Sequence, residues 1–435
     1  MASLTRKSIP HSDYWSLFDW FGRSCDHVVG IILSPIILVL YARALDDDAL
    51  RLSWIISAFG LAWIIGAALA PHLHHLTARI MPWIVGAFIV RTSAIALLAY
   101  SASDRSSSTD ERFRSTLICV IAYAAATGIA RTAESRHLLP RPAVESRSMR
   151  TWLGTLGTAA MTAVSALAIW SLMTASLSWA TVFTRLFTLA AIGLGVASLA
   201  AIIRGATTTE LPAGSERRIE RQSTRSMRPN IAWGLAPGLA LLIVVETIGI
   251  LEIFTEFRRD SGAIRASIAF LMLGWVAGML ILQIAGKRIS LATMLQTSVG
   301  ASAIAFIIVL SLRELSETSW VPDTISGTSS VYVAIYVFAF VLGIAACFRR
   351  IAMPIVTSSI ALSPATALIT GLFAAAIPSI AIWLTDSMSR DGVLIIGLAI
   401  ALGILIGAGF IRSSRLPNDR PPAALAGQLA MSPRR

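Results

Sequence analysis

Apolar runs about as long as the roughly 20 residues that a helix needs to cross a hydrocarbon core recur along nearly all of this 435-residue chain. Unsatisfied backbone groups are so costly in lipid that runs of this length must be helices, because barrel strands would be short and would alternate. Hydrophobic residues make up 55% of the sequence and charged residues only 14%, a balance far from that of a water-soluble globule. The expected fold is therefore an all-α integral membrane protein, and no soluble catalytic domain has room.

Runs bounded by charge, Pro or Gly place spans at 25–42, 52–70, 81–101, 116–133, 151–171 and 179–203, then at 231–254, 264–285, 290–312, 330–348, 365–385 and 392–411. The first is read as a retained helix, since it lacks a small-residue cleavage site. This gives an N-terminal six-helix bundle over 1–204, a polar linker over 205–230, a C-terminal six-helix bundle over 231–411 and a basic tail over 412–435. Alternating the loops between two sides puts 24 of the 36 Lys and Arg on the side of both termini and 10 on the other, with Arg91 and Arg185 inside spans. That asymmetry makes the termini, linker and tail cytoplasmic. It also accounts for the net charge of +12 without a nucleic-acid partner. Arginine outnumbers lysine 34 to 2, which fits a GC-rich bacterial genome and hence an inner (plasma) membrane. Cys25, Cys119 and Cys347 show no metal or disulfide spacing. No cofactor is expected.

The halves also resemble each other. Leu61-Ala-Trp63-Ile-Ile-Gly66 matches Leu273-Gly-Trp275-Val-Ala-Gly278 at an offset of 212, and Gly128-Ile-Ala130 matches Gly343-Ile-Ala345 at 215. Six plus six spans, cytoplasmic termini and a basic central loop together resemble the major facilitator superfamily. Gly66 stands where that family's loop between the second and third helices begins, although Ala70 and Pro71 occupy the positions of its Asp-Arg pair. Gly286-Lys287-Arg288 resembles the basic end of the same motif. Gly128 followed by Arg136-His-Leu-Leu-Pro140 is similar to a stretch of exporter-like branches, whereas the 151–171 span has Gly154 and Gly157 without the Gly-Pro of many drug antiporters. The resemblance implies two pseudo-symmetric bundles rocking about a midplane cavity, a small-molecule substrate, a proton or other coupling ion, and export. It makes Gly66, Arg136, Gly286, Lys287 and Arg288 gating-loop residues, and it places the 231–254 span beside the cavity.

Ionisable groups inside apolar spans are expensive and so are functional candidates. Glu246, midway along the 231–254 span, leads. Proton coupling, binding of a cationic substrate and a structural ion pair are all open to it. Glu252 lies nearer the outer end beside Glu256, Arg258 and Arg259, where water reaches it. Asp26 and His27 follow Ser24, where a carboxylate suits a helix N-terminus, with a place in a proton route as the alternative. Arg91 and Arg185 are expected to face the bundle as structural clamps. Tyr332 and Tyr336, one turn apart, either stack on substrate or serve as core or interfacial aromatics. Gly403 and Gly407 are expected to let helices pack closely. Pro35, Pro237 and Pro378 are expected kinks. The His72, His74 and His75 group carries no expected metal, and Asp46-Asp47-Asp48 reads as a solvated turn. Importer, polytopic enzyme and sensor are the alternatives, the enzyme lacking a cluster of acidic residues or His at one membrane face.

Overall fold

The computed structural model describes residues 49–77, 81–104, 106–137, 178–207, 261–285, 291–317, 329–359 and 390–413, with scattered positions between 22 and 41 and at 242 and 246. Eight helices run through them: α1 Ala49–Thr77, α2 Met81–Ser103, α3 Thr109–His137, α4 Trp179–Thr207, α5 Ser261–Ala285, α6 Leu291–Glu317, α7 Ser329–Ser359 and α8 Arg390–Ser413. They correspond to the second, third, fourth, sixth, eighth, ninth, tenth and twelfth expected spans. The 151–171 and 365–385 spans, the linker beyond 207, the tail beyond 413 and the three expected kinks lie outside the described residues.

Several helices outrun their apolar cores, and local chemistry explains where they begin. Helix α3 starts seven residues before its expected span, because Ser108 and Glu111 form a reciprocal cap. The Ser108 N–H donates to Glu111 Oε2 at 3.0 Å and the Glu111 N–H to Ser108 Oγ at 3.3 Å. Ser178 caps α4 by accepting from the Thr181 N–H at 3.4 Å. At its far end α7 continues through Pro354 to Ser359, well past its expected stop at 348.

The outward surface is apolar. Leu97, Ile118, Ile192, Ile304, Val333 and Ile406 are each more than half exposed, a pattern that only lipid tolerates across so many positions. Four of the described helical stretches, Met81–Ser103, Thr109–Ala133, Ala180–Ile203 and Arg265–Leu282, are long and apolar enough to cross a membrane.

Each half pairs its helices in one way. Helix α1 packs on α3, α2 on α3 and α2 on α4; correspondingly, α5 packs on α7, α6 on α7 and α6 on α8. Between the halves, α3 meets α7. The tightest crossings are made by glycine. A Cβ on Gly66 would lie 2.0 Å from the Ala125 carbonyl oxygen, and one on Gly128 would lie 2.2 Å from that of Trp63. In the second half a Cβ on Gly274 would lie 1.9 Å from the Phe340 oxygen, and one on Gly343 2.1 Å from that of Leu271. The backbones touch, and only glycine leaves them room. Gly128 thus corresponds to Gly343, as the sequence match has it. Gly66, however, corresponds to Gly274 at an offset of 208, one helical turn away from the Gly278 of the sequence match. Gly403, expected at a packing face, has nothing within 4 Å of the place its Cβ would take.

The helical positions between 22 and 41 run antiparallel along α4. A Cβ on Gly22 would meet Ala200 and one on Gly193 would meet Val29, while Tyr41 sets its ring edge-on to Phe183 and Phe187 at 5.2 and 5.0 Å. Gly22, Cys25 and Asp26 are each helical.

Candidate functional site

Asp26 is buried and accepts from two arginines on two other helices: Arg91 Nη2 of α2 donates to Oδ1, and Arg131 Nη2 of α3 to Oδ2. The capping reading of Asp26 is thereby replaced by an ion-pair bridge. Arg91 is wholly buried, with the rings of Phe88 and Tyr123 at 5.0 and 5.3 Å from its guanidinium carbon. Those π-faces offset part of the cost of its charge. One residue along, the hydroxyls of Thr92 and Ser198 lie 2.8 Å apart and both reach the Phe88 carbonyl, at 2.9 and 3.1 Å, fastening α2 to α4.

The second half repeats the theme. Glu246, 2% exposed, takes a two-pronged bond from Arg349 of α7: Nη1 donates to Oε1 at 2.9 Å and Nη2 to Oε2. The Ser302 hydroxyl of α6 also donates to Oε1 and lies 3.2 Å from the Ser298 carbonyl, while the Ser298 hydroxyl donates to the Ala345 carbonyl at 2.8 Å. A forked guanidinium–carboxylate pair of this kind is among the strongest polar contacts available. In each half, then, a carboxylate of the first span is held by an arginine of the fourth span and a polar side chain of the third.

Arg185 departs from expectation: it is exposed near the start of α4 and does not face the bundle. At the start of that helix a long side chain can reach beyond the apolar layer to water. Tyr336 stacks on Phe270 of α5, with ring centroids 5.0 Å apart and planes 8° from parallel, so it packs helix on helix. Gly66 is a crossing residue of α1. His27, Glu252, Gly286, Lys287 and Arg288 lie outside the described residues. Arg136, Tyr332, His72, His74 and His75 are helical, but their side chains lie outside the description.

Arg131, Arg349 and Ser302 are the members that the sequence reading missed. Both arginines stood at span ends and were counted as cytoplasmic loop charges; the asymmetry of the remaining Lys and Arg survives their removal. A signal was present: Arg131 and Arg349 follow the repeated Gly128 and Gly343 by one and two turns, on equivalent helices.

Neither a protein-family model nor a curated protein matches this sequence. Solved structures do match its shape. A crystal structure of a D-xylose–proton symporter superposes with a TM-score of 0.52 at 11% identity, covering 90% of this chain and 96% of that one. The major facilitator superfamily proton:xylose symporter XylE bound to 6-bromo-6-deoxy-D-glucose gives 0.51 at 11% identity, over 92% and 96%. The fold is that of the major facilitator superfamily. An autoinhibited peptide transporter of the POT family superposes at 0.50 with 14% identity, over 95% of this chain and 99% of the other. Within this superfamily fold of twelve helices, the two buried clusters occupy corresponding helices of the two halves, and Arg131 and Arg349 ride on α3 and α7, the helices that meet between the halves.

Chemically, such a cluster is costly to open halfway. A buried carboxylate stripped of its arginine must be neutralised by a proton, by another cation or by water. Withdrawing Arg349 from Glu246 therefore carries a cost that protonation, a cation or hydration of the carboxylate would offset.

Proposed function

We propose that this chain is a secondary active transporter that moves a small organic solute by alternating access and exchanges it for protons, with Glu246 as the coupling carboxylate. The observation that carries this reading is the Glu246–Arg349–Ser302 cluster, buried in the second half and anchored on the helix that meets the first half. With the pair closed, Glu246 is satisfied. When α7 shifts, the carboxylate loses its counter-charge and takes a proton, and the opposite shift expels that proton on the other side. The moving bodies are the bundles over 1–204 and 231–411. The 205–230 linker and the 412–435 tail lie on the cytoplasmic side of a bacterial inner membrane.

The stretch from Gly128 through Arg136 to Pro140, with its exporter-like pattern, favours export. Import is the second reading, favoured by the shape shared with proteins named as xylose–proton symporters. The test is accumulation of a broad compound panel in efflux-deficient cells making wild type or Glu246→Gln at equal membrane levels, with and without a collapsed proton gradient. Depletion by the wild type only while the gradient stands, absent in the variant, supports proton-driven export through Glu246. Gradient-dependent accumulation reverses the direction. Transport of the same size by Glu246→Gln refutes the coupling role.

A further inference from the structure

The two clusters differ in charge. Among the described residues around Glu246 one guanidinium faces one carboxylate, and the third-span member is the neutral hydroxyl of Ser302. Around Asp26 the third-span member is Arg91, so among the described residues two guanidiniums face a single carboxylate. Arg91 is 0% exposed, and its Nε and Nη1 are buried with no hydrogen-bond partner among the described residues. An excess positive charge with idle N–H donors, held inside an apolar bundle, is a standing invitation to an anion.

Exposure says from which side an anion arrives. The side chain of Arg131 is 16% exposed, against 4% for Asp26 and 0% for Arg91. Arg131 is the open face, Asp26 the bridge, and Arg91 the buried reserve of charge behind it. We propose that Asp26, Arg91 and Arg131 form the recognition point for a carboxylate carried by the transported solute, which makes the substrate class a small organic monoanion. The planar fork of Arg131 matches a carboxylate in shape, and one negative charge brings the cluster to neutrality, the condition the Glu246 cluster already meets. Asp26 competes with the ligand for the same two guanidiniums and so keeps the site from holding an anion too tightly to release it. This inference names the substrate class of the transporter proposed above and rests on that reading.

The experiment uses the purified full-length protein in lipid nanodiscs, with sodium benzoate as probe, and measures thermal stabilisation as a function of concentration at constant ionic strength. Benzoate is expected to stabilise saturably, while benzamide, its uncharged counterpart, and chloride are not. Arg131→Gln is expected to weaken benzoate binding roughly ten- to a hundredfold, the worth of a charge-assisted contact, with Arg131→Lys recovering part of it. Asp26→Asn is expected to tighten benzoate binding, because the competing carboxylate is gone; a merely structural bridge predicts no gain. This arm stands even if Arg131→Gln fails to fold. Stabilisation by benzamide equal to that by benzoate, an equal effect of chloride, no effect of benzoate on the wild type, or Asp26→Asn binding no tighter than wild type would each overturn the assignment. No proton gradient enters the measurement. Proton-driven transport of neutral solutes with no benzoate binding sinks the anion site alone, whereas benzoate binding with transport indifferent to Glu246→Gln sinks the coupling reading alone.

Discussion

Removing either side of the Glu246–Arg349 pair leaves an uncompensated charge where side-chain exposure is 3% and 5%. Loss of one partner of a buried pair costs about 3–5 kcal/mol, most of it the desolvation penalty of the survivor. Glu246→Gln strands the Arg349 guanidinium and weakens the bond from Ser302; Arg349→Met strands the carboxylate. The double variant Glu246→Gln with Arg349→Met removes both charges and leaves a polar amide for Ser302, so most of the penalty disappears. Because the double variant then costs less than either single one, the interaction between the two substitutions is expected to exceed one single-variant loss, about 3–5 kcal/mol. Thermal melts of the four proteins in one detergent read it out. With roughly 2–4 °C lost per kcal/mol in a body of about 200 residues, each single variant should melt about 6–20 °C below wild type and the double variant well above either single one. Melting losses that simply add would refute the pairing, because two independent side chains have no reason to rescue each other.

Three further predictions test the scaffold. Gly128→Ala puts a Cβ 2.2 Å from a backbone oxygen and must spread the α1–α3 crossing, costing about 1–3 kcal/mol, whereas Gly403→Ala meets nothing and gains up to about 1 kcal/mol of helix propensity; melts of the two proteins should move in opposite directions. Ser108→Ala removes the cap of α3 and is expected to cost about 1 kcal/mol, with faster amide exchange confined to residues 108–112, the first turn of the helix. In the turn between α2 and α3, hydrogen bonds from Ser106 and Ser107 hold the Asp104 carboxyl down to about 2. A folded value below the ordinary one means stability present at neutral pH and lost as pH falls through about 2. Exchange protection of this turn should accordingly persist at pH 4, and Asp104→Asn should abolish it at every pH.

The fold was legible because lipid leaves the chain so few choices. Long apolar runs, their number and the asymmetry of Arg and Lys led to the same architecture that the helices and the matching structures have. The site was half legible. Glu246 and Arg91 stood out because a charge inside an apolar run is conspicuous, but Arg131 and Arg349 sit where a run thins toward a loop. There, a charge that ends a helix and a charge that reaches back into the bundle look alike in sequence. Only the partner on another helix distinguishes them, and partnership is a tertiary fact. Asp26 was read as a cap because a carboxylate after Ser24 has the chemistry of one, while its two arginine partners on other helices are again a tertiary fact. The one-turn error in pairing Gly66 has a different origin. Sequence similarity weighs Leu, Trp and Gly together, whereas a helix crossing demands glycine only where a carbonyl oxygen approaches, and that point falls at Gly274.

Arg131 and Arg349, two of the three arginines that hold the buried carboxylates, belong to the helices that meet across the halves, and this bears on how much work the proposed cycle can do. Driving a two-state protein from 1:99 to 99:1 needs about 5.5 kcal/mol of differential binding. Opening one buried pair without compensation costs about 3–5 kcal/mol, so a proton that binds only the opened state can bias the two states by up to about that much, and a ligand carboxylate that replaces Asp26 in the second pair adds to it. With one cluster in each bundle and α3 against α7 between them, a shift of either helix changes the pairing in its own half and the contact with the other. Coupling of binding free energies is reciprocal. If the solute loads on Arg131 and the proton on Glu246, occupancy of each must change the affinity for the other by the same factor, and a benzoate titration of the wild type against Glu246→Gln measures that factor directly.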